Sequence, residues 1–344
     1  FGASELGLAV SGYFLGSLLA SRLGRLVDAV GVGFGLRACA LLSALSGVLI
    51  VTAARSWVWI AGCLILSGVA NSVGQLASNR MLAGLTRQGL GLGMKQAAAP
   101  LQGLTAGLIV SAVGVEVPWR WVILAACLPM VVAALVLPSR FVSSGDRAPK
   151  RGSLGVFRYQ LLTLAAAGAL GGATGNSLAL LAVDSLAKAG FSEAGAVRIL
   201  TIGSGAAVLA RMAAAWWLDH TGTKGYRDLI GLLGLGSVGF LLVTLAGALG
   251  GNRVVILVGT ILAFATAWAW PAVIYFVAVK NTAVPPATAT GMVMTGVFIG
   301  TLSGAPTLAA VADHSSYSVA WAVAGAAALA AAGLAFASRR LATR

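Results

Sequence analysis

Apolar residues along this chain run in long blocks that are separated by short polar segments. A helix needs about 20 apolar residues to cross the hydrocarbon core of a bilayer, with a range of about 17–25. Eleven blocks have this length, and they lie near residues 5–22, 36–54, 57–80, 93–115, 120–138, 158–183, 193–218, 227–249, 254–280, 287–311 and 318–338. The pattern predicts an all-α integral membrane protein that crosses the bilayer many times.

The composition agrees with this prediction. The chain has 344 residues, of which 59% are hydrophobic and 9% are charged, and its mean hydropathy is +0.94. A soluble domain carries about 25% charged residues, so this surface is expected to face lipid. The net charge of +14 does not indicate nucleic acid as a partner, because the basic residues stand singly or in small groups and form no continuous patch.

The distribution of basic residues predicts the orientation of the spans. Of the 23 lysine and arginine residues, eighteen lie at span ends and loops on one side of the membrane. The opposite side holds only five, namely Arg55, Arg120, Lys188, Arg198 and Arg253. The richer side is cytoplasmic by the positive-inside rule, which places the C-terminus in the cytoplasm and residue 1 outside. Because the chain begins with Phe1 rather than Met, we expect that a truncation removed one preceding helix, so that eleven of twelve membrane helices are present.

A polar, basic segment divides the chain. Residues 139–157 combine arginine and lysine with proline, glycine and serine, a composition typical of a flexible linker. Five spans precede it in residues 1–138, and six follow it in residues 158–344. With the expected preceding helix restored, the chain forms two pseudo-symmetric bundles of six helices each.

The two halves contain matching motifs. The stretches "GRLVDAVG" and "AWWLDHTG" both read small-x-x-aliphatic-Asp-x-x-Gly, and they place Asp28 191 residues before Asp219. Two further matches follow at offsets of 198 and 200 residues, Gly93 with Gly291 and Trp121 with Trp321. Offsets that grow in order are expected of duplicated halves with unequal loops, and parallel repeats are a common plan among transporters.

These features resemble the major facilitator superfamily. The stretch "GRLVDAVG" is similar to its motif Gly-x-Leu-x-Asp-Arg/Lys-x-Gly-Arg-Arg, and "NSVGQLASNRMLAGLTRQGLGLGMKQAAAP" resembles the bacterial branch of cyanate-permease-like carriers. The resemblance implies two helical bundles around a central cavity that the family's helices one, four, seven and ten line. It also implies a secondary transporter in the cytoplasmic (inner) membrane of a bacterium.

The resemblance further implies a conformational switch. In the family, the motif aspartate meets the N-terminal end of helix eleven, here near Thr288, and locks the two halves in the outward-open state. Ala29 and Val32 stand where the motif has basic residues, so we expect a weakened latch. A solvated cytoplasmic turn is the alternative interpretation of this stretch. The candidate switch residues are Gly24, Arg25, Asp28, Gly31, Asp219 and Gly222.

Polar residues inside the predicted spans are candidates for the substrate cavity, because such groups are costly in a bilayer. Asn71, Gln75 and Asn79 recur every four residues and therefore share one helix face. They can line a cavity or form hydrogen bonds between helices. Lys95 and Gln96 begin the next span, where Lys95 can hold an anion or reach the headgroups.

Three other features complete the candidate set. Asn176 is an amide in the interior of its span, and Trp268 and Tyr275 are spaced to share one face around Pro271, which is expected to bend the helix. This aromatic face can form a cavity wall or pack against neighbouring helices. Arg80, at the end of the amide-bearing span, is expected to extend into the headgroups.

The charges and motifs favour a transporter over an enzyme. The chain has no P-loop, GxSxG or HExxH motif, its three cysteines lie singly in apolar spans, and we expect no metal or cofactor. No carboxylate lies in the middle of a predicted span, so proton coupling depends on Glu5, on a preceding helix, or is absent. We expect a monomer that moves a small anionic or neutral organic solute. A multidrug efflux carrier and a non-transporting membrane sensor are the alternatives.

Overall fold

The computed structural model describes residues 3–53, 56–113, 118–137, 154–248 and 251–342. Within these ranges the chain forms thirteen α-helices and no β-strand. The helices are α1 (Ala3–Ser17), α2 (Ala20–Val30), α3 (Val32–Ala53), α4 (Trp57–Ala83), α5 (Gln88–Val113), α6 (Trp119–Val136), α7 (Leu154–Lys188), α8 (Glu193–Thr221), α9 (Tyr226–Ala248), α10 (Arg253–Ala267), α11 (Trp270–Lys280), α12 (Pro286–His314) and α13 (Tyr317–Leu341).

Nine helical segments in the described ranges are long and apolar enough to cross a membrane. The α1–α2 pair and α5 are not among these nine, so the count of eleven spans stays a prediction. Residues 139–153 of the predicted linker at 139–157 lie outside the described residues. Its last residues belong to α7, which begins at Leu154 rather than at 158.

Two predicted spans are interrupted helices, α1–α2 and α10–α11, each with a break of two residues. Pro271 lies in the first turn of α11 and has no N–H to continue the hydrogen-bond ladder of α10. Trp268 lies in the break and Tyr275 lies on the next helix, so the helix that carries the predicted aromatic face is not continuous.

The motif stretch is helical, so its interpretation as a turn is also wrong. Helix α2 continues through Val30 and ends at Gly31, whose φ is +95°. Helix α8 ends in the same way at Gly222, whose φ is +62°. Glycine adopts positive φ with no Cβ clash, so in each half the glycine three residues after the motif aspartate ends the helix and lets the chain turn.

Helices α1–α6 and α7–α13 form two groups whose most extensive contacts with each other are between α2 and α12 and between α5 and α8. We call the end of the protein where α2 and α8 end, and where α5 and α12 begin, the Asp28 end. The largest buried apolar cluster draws on both groups. Its members include Val27, Leu76, Leu92, Leu161, Ile274 and Met294.

Glycines allow α7 and α12 to pack at very short distance. Gly296, Gly300 and Gly304 recur every four residues on α12 and face Ala165, Ala169 and Ala173 on α7. A Cβ added at Gly300 would lie 1.7 Å from the carbonyl oxygen of Ala169. Small residues at such an interface let membrane helices approach closely and gain van der Waals contact.

We predict that Gly300→Ala destabilises the protein by about 1–3 kcal/mol, because the new methyl group forces α7 and α12 apart. The measurement is the midpoint of thermal unfolding of the purified protein in detergent. Gly234→Ala is the matched control, because a Cβ at Gly234 on α9 meets nothing within 4 Å. Equal midpoints for the two variants would contradict the packing argument.

Candidate functional site

The carboxylate of Asp28 caps the N-terminus of α12 from the opposite half. Its Oδ2 accepts hydrogen bonds from the backbone N–H and the hydroxyl of Thr288, both at 2.7 Å, and its Oδ1 accepts one from the N–H of Ala287 at 3.3 Å. The first N–H groups of a helix have no partner within the helix and carry partial positive charge, so a carboxylate is favoured there. Gly24 makes the approach feasible, since a Cβ there would lie 2.4 Å from the oxygen of Ala287.

Arg80, at the end of α4, supplies the cation that the motif lacks. Its Nε lies 3.8 Å from Oδ1 of Asp28, and its Nη1 donates to the carbonyl oxygens of Val27 at 2.8 Å and of Asp28 at 2.9 Å. The last carbonyls of a helix have no intrahelical donor, so Arg80 both pairs with the carboxylate and caps α2. Arg80 is part-buried rather than extended into the headgroups. Because it brings a positive charge from α4 to Asp28, it compensates for the basic residue that Ala29 replaces in the motif.

Asp219 makes the corresponding contact at the other helix pair. Its two carboxylate oxygens accept hydrogen bonds from the N–H groups of Gly89 at 2.8 Å and Leu90 at 2.7 Å, at the start of α5. Gly93 lies one turn further along α5, and a Cβ there would lie 2.3 Å from the Cβ of Ala215 on α8. Each half therefore offers an aspartate to a helix N-terminus of the other half.

The two contacts obey the offsets of the sequence repeat. The offset of 191 residues relates Asp28 to Asp219, and the offset of 198 residues relates Gly89 and Leu90 to Ala287 and Thr288. The contact itself is therefore duplicated, with donor and acceptor halves exchanged. The third pair of the sequence repeat, Trp121 and Trp321, differs in burial. Trp321 is 3% exposed, whereas Trp121 is 65% exposed.

Lys95 on α5 joins the amide face of α4. Its Nζ donates to the backbone oxygen of Gln75 at 3.0 Å and, through a short hydrogen bond, to Oδ1 of Asn79. Asn79 is 1% exposed, and its Nδ2 lies 3.9 Å from Sδ of Met294 on α12. The side-chain oxygen Oε1 of Gln75 is buried without a hydrogen-bond partner, so it is free to accept one from a ligand.

Arg211 on α8 is a further cation between the helices, more deeply buried than Lys95 at 5% exposed, and it belongs to no motif of the sequence. Its Nε donates to the backbone oxygen of Trp268 at 2.6 Å, its Nη1 donates to the backbone oxygen of Gln96, and its guanidinium lies 5.5 Å from the Trp268 ring centroid. Gln96 precedes Pro100 by four residues, so its carbonyl lacks the usual helical donor. Trp268 lies in the break before Pro271, so Arg211 bonds carbonyls at two proline sites in different halves.

Charge is unbalanced around these two cations. No described carboxylate lies within 4.0 Å of the Lys95 ammonium or the Arg211 guanidinium. Their hydrogen-bond partners are neutral oxygens, and a buried charge without an opposite charge is energetically expensive. Within the described ranges, no group of three or more metal-binding side chains is present.

Of the other predicted residues, Tyr275 lies close enough to Arg211 for the two side chains to interact electrostatically. Tyr275 is 5% exposed and belongs to the largest apolar cluster, which is the packing alternative for this residue. Asn176 donates to the backbone oxygen of Thr301 at 3.5 Å, a contact between α7 and α12. Asn71 is half-buried on α4, and Arg25 is exposed on α2. The structure thus brings Gln75 and Asn79 to Lys95, and it brings Gln96 and Trp268 to Arg211.

Comparisons with known proteins agree on one fold. A structure of the E. coli fucose:proton symporter FucP matches 98% of this chain and 91% of its own, with 14% identity and a TM-score of 0.70. The proton:xylose symporter XylE matches 97% and 86%, with 16% identity and a TM-score of 0.81. The human organic anion transporter TETRAN matches 96% and 83%, with 18% identity and a TM-score of 0.74.

A search of curated protein sequences finds no significant match. The sequence profile described as the Major Facilitator Superfamily, by contrast, matches residues 1–281, which is most of the chain. Its members and the similar solved structures are transporters rather than enzymes. The chain belongs to the major facilitator superfamily.

Proposed function

We propose that this protein is a secondary active transporter that moves a small organic anion across the cytoplasmic membrane of a bacterium. The observation that carries the proposal is the pair of cations formed by part-buried Lys95 and buried Arg211, with no described carboxylate within 4.0 Å of either. A bound anion would neutralise this charge, and the buried Oε1 of Gln75 offers it a further hydrogen-bond acceptor for a hydroxyl or amide group. A neutral solute would leave the charges unbalanced.

The two aspartate-capped helix ends act as the gate in this proposal. Asp28 and Asp219 both join the halves at the same end of the protein, so this end is closed in the structure. The distribution of basic residues favours the cytoplasm for this end and for the C-terminus. The structure then corresponds to an outward-facing state, and both caps must release for the site to open inward.

Several finer assignments belong to the same proposal. The cyanate-permease-like branch rests on the stretch from Asn71 to Pro100, and the monomeric state is an expectation of the family resemblance. The coupling ion also needs an experiment. The solved relatives FucP and XylE are described as proton symporters, and proton coupling is proposed here on that likeness alone.

The substrate class is tested by uptake into proteoliposomes. A panel of small carboxylates is compared with neutral analogues of the same size, each with and without a pH gradient. We expect uptake of at least one anion and no uptake of its neutral analogue. Uptake that rises with an inward proton gradient supports coupling, whereas uptake of neutral compounds alone would contradict the anionic assignment.

For a transported anion, Lys95→Gln and Arg211→Gln are each predicted to raise KM on the order of tenfold or more, because each removes a charged hydrogen-bond donor. Arg198→Gln is the matched control, since Arg198 lies exposed at the other end of α8. The measurement is initial uptake rate against substrate concentration. An unchanged KM in both cation variants would remove these residues from the site.

Asp28→Asn and Asp219→Asn are predicted to change the maximal transport rate several-fold while KM changes little. Each carboxylate stabilises a closed end and does not touch the proposed site, and a charged cap at a helix N-terminus contributes about 0.3–2 kcal/mol. Asp313→Asn is the control, because Asp313 is exposed near the opposite end of α12. A change confined to KM would assign the aspartates to substrate binding instead.

A further inference from the structure

A basic cleft lies at the Asp28 end of the C-terminal half, away from the two cations of the proposed site. It has a volume of about 290 Å³ and lies between the loop that joins α8 to α9, the end of α11 and the end of α13. Three cations line it, Lys224, Arg227 and Arg339, and none of its described lining residues is a carboxylate. This arrangement provides a concave site for a singly or doubly charged anion.

Hydrogen bonds from three helices hold the cleft in shape. The side-chain Nδ2 of Asn281 donates to the backbone oxygen of Lys224 at 2.9 Å. The hydroxyl of Tyr226 lies 3.0 Å from Oγ of Ser338, and Nε2 of Gln160 donates to the same hydroxyl at 2.9 Å. The loop between α8 and α9 is thereby fixed to α7, α11 and α13, so the site needs little ordering before it binds a ligand.

An apolar groove continues from the cleft along α8 and α9. It has a volume of about 890 Å³ and shares Thr223 and Arg227 with the cleft. Its walls include Trp216 and Trp217, which are 55% and 50% exposed, together with Leu235. Its one carboxylate, Asp228, accepts a hydrogen bond from the hydroxyl of Thr223 at 3.0 Å.

We propose that the cleft and the groove together bind one anionic phospholipid, with the phosphate in the cleft and an acyl chain in the groove. The three cations complement the negative charge of a phosphate. The groove offers an apolar surface for an acyl chain, which a phospholipid has and a free phosphate ion does not. Basic pockets at the ends of membrane helices bind anionic headgroups by the same electrostatics. A zwitterionic lipid has no net charge to balance the cations, so the site discriminates between lipid classes.

The tryptophans in the groove provide a direct readout. Bromine on a lipid chain quenches tryptophan fluorescence on contact, so the purified protein is reconstituted in vesicles of phosphatidylcholine with increasing fractions of brominated phosphatidylglycerol. The same series is run with brominated phosphatidylcholine. We expect half-maximal quenching at a fraction of the anionic lipid that is lower by on the order of tenfold to a hundredfold, since each of the three cations contributes up to roughly fivefold to the attraction.

Two sets of variants locate the binding. Lys224→Gln/Arg227→Gln/Arg339→Gln should abolish the preference for the anionic lipid. The matched control is Arg158→Gln/Lys280→Gln/Arg340→Gln, which removes one lysine and two arginines that are exposed at the same end but do not line the cleft. Trp216→Phe/Trp217→Phe should remove the difference in quenching between the two brominated lipids. The remaining tryptophans should be quenched equally by both lipids.

Three results would overturn the proposal. One is equal quenching by the two brominated lipids in the unchanged protein. A second is an equal loss of preference in the two triple variants, which would show a general effect of surface charge. A third is a full preference in Trp216→Phe/Trp217→Phe, which would place the bound lipid at other tryptophans.

Discussion

The structure depends on one kind of interaction, an aspartate at the end of a helix that caps the N-terminus of a helix in the opposite half. Asp28 caps α12, and Asp219 caps α5. Each carboxylate satisfies N–H groups that no intrahelical partner can reach, and it also lies at the positive end of a helix dipole. Because apolar packing alone does not favour one helix arrangement strongly over another within lipid, such polar contacts determine how the halves meet.

The two caps lie beside a second set of polar contacts that serves the proposed transport cycle. Arg211 bonds carbonyls of Gln96 and Trp268, and both carbonyls lie at proline interruptions of their helices. Lys95 bonds oxygens on α4. The Arg211 bonds join two proline interruptions in different halves, so an anion that competes for Arg211 would also loosen this contact between the halves. Substrate binding and gate opening are thereby linked in the proposal.

The sequence predicts much of this arrangement, because apolar block length, proline and glycine act locally. The helix positions and the contact between Asp28 and the helix near Thr288 follow from the block lengths and from the motif. The roles of Arg80 and Arg211 do not, because their acceptors are backbone oxygens on other helices that only the folded chain brings near. One signal was present for Arg211, an arginine deep in an apolar span without an acidic neighbour. The apolar block that contains Trp268 and Tyr275 is continuous in sequence, so its length does not reveal the break that precedes Pro271.

The most direct test of the duplicated cap is a distance measurement across the closed end. Spin labels are placed at Ala29→Cys and Lys280→Cys, which are exposed in opposite halves, after alanine has replaced the three native cysteines. Double electron–electron resonance then compares the protein with its Asp28→Asn/Asp219→Asn variant. The account predicts one short distance with both aspartates present and a second, longer population in the variant. An identical distance distribution in the two proteins would contradict it.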